Sequence, residues 1–217
     1  GLRVAAARTA GAVPVLLVHG YVCNHRVWDT VALALRQAGH PVLAIDLEPL
    51  FTSIDDYAAP IDNAVEELLE KSGGTQLALI GHSMGGLAIR AWMRAHGTTR
   101  VTKVITLGTP HQGTRLAGVS ATPNGAQMEW RSPWIKALEQ EETQTARALM
   151  HIALTAQDNI VIPQREQVLS GATVTEFRGL GHLELCLDRE PINWMLHQLA
   201  APATAHTVPL PPTMMSS

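Results

Sequence analysis

The sequence is poor in the features that mark disulfide-rich, membrane-spanning and nucleic-acid-binding proteins. Its two cysteines, Cys23 and Cys186, are too few for a disulfide framework or a cysteine-based metal cluster. No apolar run approaches the roughly 18 residues that a membrane-spanning helix needs. Lys and Arg total 16 and Asp and Glu total 19, so the net charge of −3 does not favour nucleic acid as a partner. We therefore expect the ligand to bind in a pocket.

Aromatic residues are also scarce, at 4% of the 217 residues, whereas apolar residues make up 46%. This balance is typical of a globular core built from aliphatic side chains, and the length suits one domain, which we place at residues 1–200. Residues 201–217 are rich in Pro, Thr and Ala without a period, which predicts a disordered or loosely packed tail.

Six apolar runs of strand length recur along the chain, at 13–18, 41–46, 76–81, 101–108, 151–156 and 172–177. Their near-continuous apolarity is typical of buried parallel strands. Helical periods separate the runs, such as Val31 with Leu35 and Leu87 with Ala91. The alternation predicts an α/β fold in which helices flank both faces of an about six-stranded, mostly parallel sheet. Ligands of such sheets bind at the carboxyl ends of the strands.

The segment from 113 to 148 interrupts this alternation of strands and helices, because it contains no strand-like run. Ser132 and Pro133 are typical of a helix N-cap and first turn, so a short helix should begin there. We interpret the segment as a short cap or lid over the site.

The stretch "GHSMG", residues 81–85, matches G-x-S-x-G directly after an apolar run and before an amphipathic one. A strand, a tight turn and a helix in this order are the setting of a nucleophile elbow, in which Ser83 would be exposed for attack. Gly81 and Gly85 would permit the strained turn, and His82 should point away from the serine. The alternative is that Ser83 is an ordinary helix N-cap.

A nucleophilic serine needs a base and an acid that orients the base. His182 follows the last predicted strand, and Asp158 follows the strand before it, so both should lie at the same sheet edge as Ser83. Serine, acid and histidine in this order are typical of the G-x-S-x-G elbow enzymes. The weaker alternatives are His25 and His111 for the base, and Asp46 and Asp188 for the acid.

An oxyanion intermediate also needs hydrogen-bond donors. The backbone amide of Met84, directly after the serine, is one candidate. The amide of Tyr21, which follows "VHG" at the end of the first strand, is the other. Taken alone, "VHG" favours an ordinary turn after a strand.

Together these motifs resemble the α/β-hydrolase superfamily, and within it the bacterial triacylglycerol lipases and esterases. The resemblance rests on "LLVHGY", "GHSMGG", "TLGTPHQGT", "QDNIVIP" and "GLGHL", which are spread in the family's order from residue 13 to about residue 200. It implies a minimal version of that fold. It also implies that Ser83 is the nucleophile, Asp158 the acid and His182 the base, and that the Tyr21 and Met84 amides form the oxyanion hole.

The expected function is therefore that of a serine carboxylic-ester hydrolase, an esterase or lipase acting on a small ester or lipid, triacylglycerols included, through an acyl-enzyme. A thioesterase, amidase or acyltransferase would use the same residues, and a non-catalytic binding protein of this fold is the alternative of another class. We expect no cofactor, and contact with a lipid interface. The resemblance favours a secreted, periplasmic or membrane-associated bacterial protein, with cytoplasmic residence as the alternative.

Four residues are candidates for binding the substrate. Met128, Trp130 and Trp134 would line an acyl groove, although aromatic residues at helical spacing equally predict core packing. His111 should shape the loop beside the pocket. We expect no metal site, because Glu184 and Asp188 are too few ligands for Ca²⁺. Cys23 and Cys186 are predicted to lie near the same sheet edge, either as a bridge or as two buried thiols.

Overall fold

The computed structural model describes residues 12–20, 26–116 and 121–201. Within them, six strands form one sheet in the order β2-β1-β3-β4-β5-β6, and every neighbouring pair is parallel. This confirms the predicted α/β class, and all six predicted strands are present. The strands are β1 (Val15–Val18), β2 (Val42–Ile45), β3 (Leu77–His82), β4 (Val101–Leu107), β5 (Met150–Thr155) and β6 (Thr173–Phe177).

Helices fill the connections between the strands. They are α1 (Arg26–Gln37), α2 (Ala58–Ser72), α3 (Met84–His96), α4 (Pro123–Gln127), α5 (Pro133–Glu141), α6 (Gln144–Ala148), α7 (Glu184–Leu187) and α8 (Arg189–Ala200), with a 3-10 helix at Ile54–Tyr57 before α2. Within the described ranges, no helix has both the length and the apolar character needed to cross a membrane.

Side chains from the two faces of the sheet build two separate apolar cores. In β3, Leu77 and Leu79 belong to the core that α2 and α3 cover. Ala78 and Ile80 point the other way, into the core shared with α1 and α8. The alternation follows from the period of two along a strand, and it confirms that helices cover both faces.

The two outermost strands are more exposed than their apolar sequences predict. All four residues of β1 are buried, whereas none of the four residues of β2 is. In β6, Phe177 is the one buried residue. The reason is position: β2 and β6 lie at the edges of the described sheet, so each has a neighbouring strand on one side.

The segment predicted to be a cap contains the three short helices α4, α5 and α6. As predicted, α5 begins at Pro133 with Ser132 as its N-cap, whose hydroxyl accepts a hydrogen bond from the Ile135 amide at 3.1 Å. Thr114 pairs with Glu129 and closes the base of the segment. Its role as a lid stays a prediction, as does the single domain over 1–200. The predicted tail is described only at residue 201, since 202–217 lie outside the described residues.

A buried ion-pair network joins this segment to α3. The Arg90 side chain, completely buried in the middle of α3, donates two hydrogen bonds to the Glu142 carboxylate, at 2.5 and 3.0 Å. Arg147 donates to the same carboxylate at 2.5 Å. Buried charges are costly unless they are paired and hydrogen-bonded, and this geometry supplies both conditions. The network therefore fixes the end of the segment to the helix that follows Ser83.

His111 lies in the same network and is also fully buried. Arg90 Nη1 lies 3.3 Å from His111 Nδ1 and donates to the His111 carbonyl at 3.1 Å. The His111 Nε2 lies 2.8 Å from the Thr106 hydroxyl. Burial, followed by the charges of Arg90 and Arg147, lowers the pKa of His111 well below its usual value, so the imidazole is neutral in the folded protein.

Neighbouring glutamates allow a test of the ion-pair network. Glu142→Gln leaves two buried guanidinium groups without their carboxylate, so we expect the free energy of unfolding to fall by about 3–5 kcal/mol. The control is Glu141→Gln, since Glu141 is 57% exposed and lies 3.5 Å from the surface residue Arg94. That change should cost less than about 1 kcal/mol. Urea unfolding of the three proteins measures the difference, and equal costs would contradict the network's role.

The neutral state of His111 predicts loss of stability in acid. The unfolded chain binds a proton near a pKa of about 6.5, whereas folded His111 does not, so its contribution is complete above that pH and falls as the pH decreases below it. We expect His111→Asn to flatten the acid side of the stability curve by up to about 1.4 kcal/mol per pH unit. Urea unfolding between pH 7 and pH 4.5 measures the slope, with the exposed His197→Asn as the control. An unchanged slope in His111→Asn would refute the assignment.

Candidate active site

Ser83 stands between β3 and α3 in a strained backbone conformation. Its φ is 54° and its ψ is −127°, a region that residues with a side chain rarely occupy. The Ser83 amide donates to the Leu107 carbonyl at 2.9 Å, which ties the turn to β4. Ser83 is at the N-cap position of α3, but its side chain makes no capping hydrogen bond. The N-cap alternative therefore does not explain why a serine is present.

Glycines flank Ser83 in the sequence because main-chain atoms of other residues approach these positions closely. A Cβ on Gly85 would lie 2.3 Å from the Val18 carbonyl oxygen of β1. A Cβ on Gly81 would lie 2.7 Å from the amide nitrogen of Gly86. Such distances are far inside van der Waals contact, so no side chain fits at either position. The interpretation that Gly81 and Gly85 allow the tight turn agrees with these contacts.

His182 and Asp158 form a buried hydrogen-bonded pair. The His182 Nδ1 lies 2.7 Å from the Asp158 Oδ2, and both side chains are 3% exposed. The other carboxylate oxygen of Asp158 accepts hydrogen bonds from the amides of Ile160 and Val161, each at 2.8 Å. Asp158 follows β5 and His182 follows β6, so the predicted loops bring acid and histidine together.

The pair lies beside the turn that carries Ser83. The ring of His182 is 4.7 Å, centroid to centroid, from the ring of His82, the residue that precedes Ser83. Gly108, at the end of β4, lies directly against the pair: a Cβ there would be 3.0 Å from His182 Nδ1 and 3.3 Å from Asp158 Oδ2. Serine, histidine and aspartate are thus gathered at the carboxyl edge of the sheet.

His82 itself is completely buried next to this pair. Burial, followed by the neighbouring His182, lowers the pKa of His82 to about 3. Its Nε2 lies 3.3 Å from the main-chain oxygen of His182. The sequence indicated only that this side chain points away from the serine. Its contact with the loop that carries His182 was missed, because residues 100 positions apart give no local signal.

The alternative acids and bases lie in other surroundings. Asp188 caps α8, accepting a hydrogen bond from the Glu190 amide at 2.9 Å. Asp46 is exposed beyond the edge strand β2. His111 is enclosed by Arg90 and Thr106, and His25 lies outside the described residues. Within the described residues, Asp46, Asp188 and His111 form no hydrogen bond with His182 or Asp158.

One of the two predicted oxyanion donors can be located. The Met84 amide is at the first position of α3, and Gly20 of the turn after β1 lies against it. A Cβ on Gly20 would be 3.0 Å from the Met84 nitrogen and 2.9 Å from the Ser83 Cβ. The turn after β1 therefore approaches the serine. Tyr21 lies outside the described residues, so its part in an oxyanion hole stays a prediction.

The three predicted acyl-groove residues lie in different surroundings. Met128 is buried in the core that α2 and α3 cover. Trp134 donates to Asp55 at 3.0 Å and lies against Arg94, which is ten residues, about 15 Å, along α3 from Met84. Trp130 is half-buried, with the guanidinium groups of Arg115 and Arg131 over its ring. Their role in binding a substrate stays a prediction.

The remaining candidates near the edge have local structural roles. Glu184 accepts a hydrogen bond from the Gly181 amide, and Asp188 caps α8. In the described ranges, no group of three or more potential metal-binding side chains occurs. Cys186, in α7, is buried in the core shared with α1 and α8, and Cys23 lies outside the described residues. A bridge between the two cysteines therefore stays a prediction.

Known proteins with similar sequences include two bacterial lipases. A triacylglycerol lipase of Pseudarthrobacter phenanthrenivorans is 33% identical over 113 residues, which are 48% of this chain and 35% of that lipase. A triacylglycerol lipase of Burkholderia plantarii is also 33% identical over 113 residues, 48% of this chain and 31% of the lipase. The chain spans about a third of the length of these curated relatives.

Solved structures share the fold at low sequence identity. The mature lipase BlEst2 of Bacillus licheniformis superposes with a TM-score of 0.76 at 18% identity, over 88% of this chain and 93% of that one. Aspergillus fumigatus lipase B gives 0.73 at 16% identity, over 90% of this chain and 55% of that one. These likenesses establish a shared architecture.

A family model matches most of the chain and agrees with this architecture. The model, described as the alpha/beta hydrolase family, matches residues 15–210, from the first residue of β1 to beyond α8. The chain belongs to the alpha/beta hydrolase family.

Proposed function

We propose that the protein is a serine carboxylic-ester hydrolase. The observation that supports this most strongly is the buried hydrogen bond between His182 and Asp158, set beside a serine whose backbone is strained and whose side chain caps no helix. A serine held in this way, with an oriented base nearby, fits nucleophilic catalysis better than it fits a structural turn.

The proposed reaction is a two-step acyl transfer. His182 takes the proton of the Ser83 hydroxyl as that oxygen attacks the ester carbonyl. Asp158 stabilises the resulting imidazolium, which then protonates the leaving alcohol. Water attacks the acyl-enzyme with His182 again as the base, and Ser83 is regenerated. The Met84 amide, at the positive end of α3, would donate to the oxyanion in both steps.

The names of the relatives support esters as substrates. Triacylglycerol lipases, a methyl jasmonate esterase and a monoacylglycerol lipase are among the similar proteins. A thioesterase, amidase or acyltransferase would use the same three residues and remains the alternative within enzymes. A binding protein of this fold would have no use for an oriented His182 or a strained Ser83.

Six exposed apolar side chains belong to the segments that follow β2, β4, β5 and β6. They follow four different strands, and the most exposed of them is Phe51, at 52%. Since the carboxyl ends of parallel strands meet at one edge, we propose that these side chains contact acyl chains or a lipid surface. The residues are Leu50, Phe51, Leu116, Ile160, Leu183 and Leu187.

The helices α4 to α6 are proposed to form a fixed wall of the substrate site. Asn124 donates to the Leu50 carbonyl at 2.7 Å, and Trp134 donates to Asp55 at 3.0 Å. Glu142 is held by Arg90 in the core. A segment tied at three separate points to the rest of the domain would have to break the buried Arg90–Glu142 ion pair and two further hydrogen bonds on opening.

Replacing the proposed nucleophile tests the function. Ser83→Ala removes the hydroxyl, so we expect turnover of p-nitrophenyl butyrate to fall by a factor of about 10³ or more and labelling by a fluorophosphonate probe to disappear. Circular dichroism should be unchanged. Asp158→Asn should lower turnover strongly as well, because the amide cannot stabilise the imidazolium.

Matched variants control this experiment. Ser170→Ala removes an exposed serine, and Asp188→Asn removes the carboxylate that caps α8; both should keep wild-type labelling and turnover. A wild-type protein that the probe does not label would contradict the proposal, as would a Ser83→Ala variant with normal turnover.

A fixed wall predicts simple kinetics with insoluble esters. We expect the rate with tributyrin to rise smoothly through the solubility limit, because no lid must open at an interface. Trp134→Phe, which loses the hydrogen bond to Asp55, should follow the same curve. Rates with p-nitrophenyl esters from C2 to C16 would then give the chain-length preference. A jump at the solubility limit, or a faster Trp134→Phe variant below it, would show that the segment moves.

A further inference from the structure

His82 contacts the main chain of the proposed base, His182, and not the ring nitrogens of that base. It is the last residue of β3, fully buried, with its side chain on the face that α1 and α8 cover. Its Nε2 lies 3.3 Å from the main-chain oxygen of His182. The two rings are 4.7 Å apart, centroid to centroid, at an angle of 47°.

The position of the proton on His82 follows from this contact. A carbonyl oxygen only accepts hydrogen bonds, so the Nε2 must carry the proton that is donated to it. Burial keeps the ring neutral by lowering the pKa of His82 to about 3, which leaves the Nδ1 without a proton. That nitrogen has no hydrogen-bond partner in the part of the chain that the structure describes.

Three contacts hold His182 in place. Asp158 binds its Nδ1 at 2.7 Å, and Gly108 packs against its ring. His82 binds its main-chain oxygen. The Asp158 contact fixes how the ring is turned, whereas the main-chain contact fixes where the residue stands relative to Ser83, the immediate neighbour of His82.

We propose that His82 is a positioning residue that holds the loop of the base in register with the nucleophile by donating its Nε2 proton to the His182 carbonyl. This inference rests on the proposed function, because it assigns a role to His82 only if His182 acts on Ser83. His82 joins the two directly, since one peptide bond connects it to Ser83 and one hydrogen bond connects it to His182.

The surroundings of His82 argue against a purely structural reason for an imidazole. Besides His182, the rings nearest to His82 are Trp28, edge-on at 6.3 Å, and His19, tilted at 6.4 Å. A hydrocarbon side chain would fill this space without the cost of burying a polar nitrogen that lacks a partner. What the imidazole adds is a directed donor, and a leucine cannot replace it.

Three variants separate donation from packing. His82→Gln keeps an N–H donor at a similar reach, His82→Asn carries one that is too short, and His82→Leu has none. We expect His82→Leu and His82→Asn to lower kcat for p-nitrophenyl butyrate about tenfold to a hundredfold with little change in KM, as a misplaced catalytic group does. His82→Gln should recover most of the loss.

A spectroscopic measurement accompanies the kinetics. The proton between His182 Nδ1 and Asp158 should give a downfield resonance in the proton NMR spectrum of the wild type. It should persist in His82→Gln and be broadened or lost in His82→Leu and His82→Asn. A residue that contributes to packing alone would leave this resonance in place in every variant that folds.

The kinetics of the three His82 variants decide between positioning and packing. Full kcat in His82→Leu, or equal losses in the Gln and Asn variants, would overturn the proposal. If His82→Leu fails to fold by near-ultraviolet circular dichroism, the comparison of Gln with Asn decides alone. Failure of the proposed function is distinguishable, because the wild type itself would then not react with the fluorophosphonate probe.

Discussion

The left-handed backbone of Ser83 is the constraint on which the arrangement of the site depends. Such a conformation persists only where the surrounding structure leaves no alternative. Here the Val18 carbonyl lies against Gly85, and Thr109 lies against Gly86 with no room for a side chain between them. Three neighbouring strands, β1, β3 and β4, thus meet at one turn. The requirement that glycine backbones pack this closely explains why the serine is held at the sheet edge, where acid and histidine can reach it.

Sequence reasoning predicted the features that have a local signature. Continuous apolar runs identified all six strands, and the turn residues around Ser83 indicated the elbow. Asp158 and His182 could be paired because each directly follows a strand, and parallel strands end at a common edge. The same reasoning overestimated the burial of β2 and β6, because an apolar run does not reveal how many neighbours a strand has. Position within a sheet is a property of the whole fold.

Other features could not be predicted, because their residues are distant in the chain. Arg90, Glu142 and Arg147 are charged residues, a type that usually lies on the solvent-exposed surface, yet these three form a buried network. Charged residues are almost never fully buried unless paired, and nothing in the sequence indicates which partners meet. The contact between His82 and the His182 carbonyl is of the same kind. Both findings depend on tertiary packing.

The buried network has a consequence for attempts to alter substrate range by exchanging loops. The segment between β4 and β5 resembles a cassette, since both of its ends lie on strands of the sheet. Yet Glu142, near its end, is the carboxylate partner of Arg90, which lies in the scaffold. A cassette transplanted from another hydrolase would leave an unneutralised guanidinium in the scaffold's interior. Compatible grafts therefore have to carry an acidic residue at that position or be accompanied by an uncharged residue at position 90.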